Sequence, residues 1–107
     1  MNSEHYPILI NGELVNTDKV IKVINPSTEE VFASCSKATE KHLDEAVKAA
    51  QKAQKIWGES DIAIRQKLLN EIAEKISENS ENLARLLTLE QGKPLNFARG
   101  EIEFAVM

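Results

Sequence analysis

The hydrophobic pattern changes period once, near Thr39. Before that point apolar residues alternate or run in short β-branched blocks. Tyr6, Ile8 and Ile10 alternate with other residues, Asn11-Gly12 follows at once, and Glu13-Leu14-Val15 supplies a returning strand. Both central positions of a type I′ turn need positive φ, which Asn and Gly tolerate best, so a hairpin is predicted. Val20 to Ile24 is β-branched at all but one position and favours a strand. Asn25-Pro26-Ser27-Thr28 stops it, and residues 31–36 form another short strand. From Thr39 onward the spacing is helical. The Thr39 hydroxyl is suited to accept a bond from an unpaired N–H of a first turn. Leu43, Ala46, Val47, Ala50, Ala53 and Trp57 then share one face of a helix over 40–57, with Gly58 expected to end it.

Ser60 is the expected cap of a second helix over 61–78, with Asp61 near its positive end. Its buried stripe is predicted as Leu69, Ile72, Ala73 and Ile76. Asp61–Arg65 and Glu71–Lys75 are acid-before-base pairs four apart. Asn79-Ser80 interrupts, and a third helix runs over 81–91 with Leu83, Leu86 and Leu87 as its stripe. Gly92-Lys93-Pro94 follows. Glycine can take the left-handed conformation that ends a helix, and proline, lacking an N–H, suits the first turn of the next. Leu95, Ala98, Ile102, Ala105 and Val106 return at helical spacing, so a fourth helix is predicted over 94–107, with Phe97 and Phe104 as a second stripe. Its pattern is still running at Val106, which leads to the expectation that further chain follows.

Glu-x-Gly-Lys-Pro-Leu (Glu90 to Leu95), between a helix and a charged helix carrying Gly100-Glu101-Ile102, resembles the aldehyde dehydrogenase superfamily. The likeness extends back through the chain. Tyr6 to Val15 looks like that family's opening hairpin, Asn25-Pro26-Ser27-Thr28 like its first turn, and Ala46 to Trp57 like its first helix. Arg65, Leu68 and Leu69 fit the next helix. One departure is Glu29, where the family usually has glycine. The resemblance covers nearly the whole chain but only the family's N-terminal portion. It implies an α/β fold of which residues 1–107 form the N-terminal part of the cofactor-binding domain: a β-hairpin region, 6–36, followed by about four helices.

It also implies that the complete enzyme oxidises an aldehyde to a carboxylic acid with NAD or NADP. A cysteine thiolate attacks the carbonyl, hydride passes to the nicotinamide, and a glutamate-activated water hydrolyses the thioester. Those groups lie far downstream in the family, so no catalytic or cofactor-binding residue is expected here and the segment alone is expected to be inactive. The corner sequence Leu89 to Leu95 is similar to the semialdehyde-oxidising branch. Thr28 and Glu90 match places where some members bring backbone oxygens around a monovalent cation.

Composition narrows the partners. A net charge of −4, from acids and bases mixed through the helices, leaves no basic stripe for nucleic acid. No stretch approaches the roughly 20 apolar residues of a membrane span, and residues 1–5 carry no secretory signal pattern. The single cysteine agrees with a reducing compartment, and a cytoplasmic location is expected. The expected partners are the remainder of an aldehyde dehydrogenase chain or a second copy.

Other candidate chemistry is thin. Cys35 lies in a strand with neither histidine near it in sequence, so an inert thiol is expected. His5 and His42 lack partners at metal-ligand spacing, and His42, on a first helical turn, is expected to be solvated. Gly92-Lys93 is not a phosphate loop, since a Walker-type loop needs a glycine where Leu87 stands and Ser or Thr where Pro94 stands. Glu90, Glu101 and Glu103 read as a solvated helical face. The alternative to an enzyme segment is a stand-alone helical interaction module, or a remnant, that binds through exposed apolar faces.

Overall fold

The computed structural model describes residues 4–107; residues 1–3 of the expected 1–107 domain lie outside the described part. Five strands precede four helices: β1 (Glu4–Tyr6), β2 (Ile8–Ile10), β3 (Glu13–Val15), β4 (Val20–Ile24), β5 (Val31–Ser36), α1 (Glu40–Glu59), α2 (Ile62–Glu78), α3 (Ser80–Gln91) and α4 (Leu95–Val106). They fold as two compact units. The first holds residues up to Ile24 and Glu30–Glu59, the second Asn25–Glu29 and Ser60–Met107.

In the first unit, β2 and β3 form the predicted hairpin, with Ile8 opposite Val15 and Ile10 opposite Glu13. Asn11 and Gly12 both have positive φ, 52° and 77°, as a type I′ turn requires. Tyr6 does not belong to that hairpin. Pro7, with no N–H to donate, separates it from β2, and β1 instead runs parallel to β5, pairing Tyr6 with Cys35. β4 pairs antiparallel with β5, giving a three-stranded sheet of order β1-β5-β4 with a register shift at Val23/Ile24. α1 packs on β2.

Thr39 caps α1 as expected: its hydroxyl accepts the His42 N–H at 3.4 Å, and its carbonyl accepts the Leu43 N–H at 3.1 Å. Gly58 does not end α1. It lies inside the helix, which runs on through Glu59, and its φ is not positive; that conformation is needed only at a left-handed cap.

In the second unit, α4 packs against both α3 and α2. α3 and α4 each bury one alanine completely, Ala84 and Ala98, and such small side chains let two helix backbones approach closely. Asp61, not Ser60, is the N-cap residue of α2, with φ −60° and ψ 143° and no side-chain cap bond. The Ser60 carbonyl accepts from the Arg65 guanidinium, which satisfies a backbone acceptor just before the helix. Glu71 and Lys75 do not pair with each other. Glu71 meets Lys67 at 3.9 Å and Lys75 meets Glu78 at 2.9 Å, since each long side chain has a partner on either side along the helix.

The predicted stripes exist, but they stay largely uncovered. Leu43 is 61% exposed, Leu69 59% and Ile72 55%, and among the described residues the buried apolar core consists of Ala33, Ala84 and Ala98. Neither α1 nor α2 contains a buried residue. α1 packs chiefly on β2 and α2 chiefly on α4, which leaves stripes of that width largely uncovered.

Candidate functional site

The corner after α3 and the turn after β4 belong to the same unit. Gly92 takes the left-handed conformation, φ 74° and ψ 10°, and its N–H bonds to the Thr88 carbonyl at 2.8 Å. The left-handed glycine that the sequence predicts thus ends α3, here through a single-bond cap. Pro94, expected at the first helical position, sits one residue earlier as the N-cap of α4, with φ −55° and ψ 138°. Its carbonyl accepts the N–H groups of Phe97 and Ala98, each at 3.0 Å.

The turn is held by its own backbone. Asn25 Oδ1 accepts the Ser27 N–H at 2.9 Å, and the Asn25 carbonyl accepts the Glu29 N–H at 2.8 Å. Glu29, the donor of that second bond, adopts φ 61°, so the chain leaves the turn in the left-handed conformation. Position 29 therefore keeps a glycine-like conformation although it carries a glutamate. The turn and the corner touch: a Cβ placed on Gly92 would stand 3.1 Å from Pro26 Cγ.

This juxtaposition is what places Thr28 and the α3 terminus, with Glu90, on neighbouring segments. Carbonyls in the last turn of a helix have no intrahelical donor. For Glu90 the residue four positions on is Pro94, which has no N–H to give. Its backbone oxygen therefore sits at the negative end of α3 without an N–H donor from the residue four positions on. Pro26 contributes to this arrangement through the packing of its ring and Pro94 through its missing N–H, neither of which a search for reactive side chains picks up.

Around the corner the charged side chains pair with one another. Lys93 bonds Glu101. Glu81 receives Arg99 through two nitrogens, at 2.9 and 2.8 Å, and Arg85 at 2.9 Å. The Arg99 hydrogen bond holds the Glu81 carboxyl down from 4.5 to about 2, and the same bond raises Arg99. Glu81 is thus a tie between α3 and α4. Thr88 Oγ1, beside this network in α3, is buried with no hydrogen-bond partner.

The remaining candidates fall in the first unit. His5 Nδ1 lies 2.7 Å from Ser34 Oγ, and its Nε2 lies 3.1 Å from both Asn16 Oδ1 and Ser36 Oγ. Side chains alternate along a strand, so this places His5 on the Ser34/Ser36 face and the Cys35 side chain on the other. Register agrees, since Cys35 sits opposite Tyr6. Cys35 is a free, half-buried thiol on the face opposite His5. The Tyr6 hydroxyl donates to the Glu4 carboxylate, which raises the tyrosine's pKa. His42 is not a freely solvated side chain: it is half-buried, and its Nδ1 accepts the Thr39 N–H at 3.0 Å.

A family model for the aldehyde dehydrogenase family matches residues 14–107. The chain belongs to the aldehyde dehydrogenase family. It is 42% identical over 98 residues to a glutarate-semialdehyde dehydrogenase of Pseudomonas putida, covering 90% of this chain and 20% of that protein. Its fold superposes on aldehyde dehydrogenase 21 of Physcomitrella patens, solved with the reaction product succinate, with a TM-score of 0.93 at 30% identity over 99% of this chain and 22% of that one. It also matches a point mutant of betaine aldehyde dehydrogenase from Staphylococcus aureus in complex with NAD+, with a TM-score of 0.83 at 34% identity over 88% of this chain and 20% of that one. The chain thus spans about a fifth of the length of the relatives it matches. The mixed strands and four helices are those of the N-terminal part of an aldehyde dehydrogenase fold. No helix among the described residues is long and apolar enough to cross a membrane.

Proposed function

We propose that this chain is the N-terminal scaffold of the cofactor-binding domain of an aldehyde dehydrogenase. In complete form that enzyme would oxidise an aldehyde of the semialdehyde class to a carboxylic acid with NAD or NADP, which supplies the hydride acceptor. The supporting observation is the family match over residues 14–107, which is the N-terminal fifth of the relatives' length. The chain's residues support and position; they do not react. The semialdehyde class is favoured by the glutarate-semialdehyde relative and by the relative solved with succinate. A reducing, cytoplasmic setting suits the free thiol of Cys35.

At the corner, the backbone oxygens of Thr28 and Glu90 are suited to hold a monovalent cation. The Glu90 carbonyl without a helical donor and the packing of Pro26 on Gly92 support that reading. A cation there would neutralise the negative end of α3 and fasten the turn to it. The stand-alone interaction module draws its support from Phe97 and Phe104, which are 65% and 77% exposed. Sequencing the coding frame past Met107 separates the two readings. An open frame reaching a cysteine-bearing segment is expected for the enzyme, while an immediate stop decides for the module or a remnant.

A further inference from the structure

The two histidines differ in what a proton does to them. At His5 every side-chain partner except Asn16 Oδ1 is a hydroxyl. With Nε2–H donating to Asn16, the Ser34 hydroxyl can donate to a neutral Nδ1 or accept from a protonated one, so the contacts survive either way. His42 has no such freedom. Its Nδ1 faces a backbone N–H, that of Thr39 at 3.0 Å, which can only donate.

This pairing is reciprocal. The Thr39 hydroxyl accepts the His42 N–H at 3.4 Å, and the neutral imidazole accepts the Thr39 N–H. It is a capping box in which histidine takes the place usually held by glutamate or glutamine. The difference matters chemically. A glutamate accepts over the whole neutral range, whereas imidazole loses its Nδ1 lone pair on protonation.

We propose that the Thr39–His42 box is an acid-sensitive clasp on the N-terminus of α1, closed with neutral His42 and opened by its protonation. An imidazolium would set one N–H against another. It could keep a bond to Thr39 Oγ1, now 2.9 Å away, but the Thr39 N–H would lose its acceptor. It would also put positive charge at the positive end of a 20-residue helix. Nearby on α1, Glu40, Asp44 and Glu45 favour the charged form and Lys41 opposes it. Before the helix, Lys37 and Lys19 oppose it too, their backbones joined by a 2.8 Å bond. β2, packed on α1, is Ile8-Leu9-Ile10 and brings no titratable side chain. None of these charges restores the lost acceptor.

The test is amide exchange on the 107-residue chain at pH 7.5 and pH 5, scored as protection over the intrinsic rate at Thr39, His42 and Leu43. The wild type should lose about fivefold in protection on acidification, the equilibrium effect of one ordinary hydrogen bond. His42→Gln supplies an acceptor that does not titrate and should lose nothing, although it retains His5. Thr39→Ala keeps the backbone donor, so it should lower protection at both pH values while retaining the wild-type pH dependence. Equal pH profiles for wild type and His42→Gln would overturn the proposal, as would a flat profile in Thr39→Ala.

Discussion

Replacing Glu29 with glycine should stabilise the protein. Glu29 stands at φ 61° at the end of a turn closed by its N–H bond to the Asn25 carbonyl at 2.8 Å. Holding a residue with a Cβ in the left-handed region costs about 1–2 kcal/mol, which glycine avoids. Against this, glycine gives the unfolded chain more freedom, worth about 0.4–1 kcal/mol in the opposite direction. The Glu29 side chain is exposed, so little packing is lost with it. The net expectation is a gain of about 0.5–1 kcal/mol. For a domain of this size that is a rise in Tm of about 2–8 °C. Urea unfolding followed by circular dichroism should show a higher midpoint at an unchanged slope. A Tm at or below wild type would refute the reasoning, because it would mean that the turn does not store strain at position 29.

The companion position should respond with the opposite sign. Gly92→Val should lower stability by about 1–3 kcal/mol in the same assay, since a β-branched residue at φ 74° is strained and its Cβ would meet Pro26. At low pH, Glu81 should contribute through its depressed pKa. Its ion pairing is fully present above 4.5 and is lost as pH falls through about 2, so acid should loosen α3–α4 across that window. Tm followed against pH should lose this segment of acid dependence in Glu81→Gln. Phe97 and Phe104, 65% and 77% exposed, should drive concentration-dependent self-association at about 25 cal/mol per Å² buried. Sedimentation velocity checks it, and a strictly monomeric chain at high concentration would contradict it.

Where local backbone chemistry decides an element, the sequence was readable. Asn11-Gly12 specified its turn because both residues tolerate positive φ, and Gly92 and Pro94 specified the corner because neither suits a helix interior. The β1–β5 pairing was not readable: it joins residues nearly thirty apart, and its only local trace is Pro7 splitting what looks like one strand. Helix ends marked by one weak signal shifted by a residue or two, as at Gly58 and Ser60. Burial was legible as stripes but not as coverage, because coverage depends on which neighbours each stripe meets. At the candidate site, Thr28 and Glu90 were reached through resemblance alone. Backbone oxygens carry no side-chain signature, although a proline four residues after Glu90 is a readable sign of a carbonyl without a helical donor. The His42 cap had a readable trace in the Thr39-to-His42 spacing. Histidine stands outside the usual glutamate or glutamine of a capping box, so the spacing alone does not flag it.

A chain that supports chemistry without performing it should be inert on its own. The most direct test mixes the purified 107-residue chain with NAD or NADP and a panel of semialdehydes and simple aldehydes, and follows nicotinamide absorbance. No turnover above a protein-free control is expected, for wild type and for Cys35→Ala alike, because Cys35 lies across the sheet from His5, away from its imidazole. Reduced cofactor that accumulates with the wild type and vanishes with Cys35→Ala would contradict a purely supporting role.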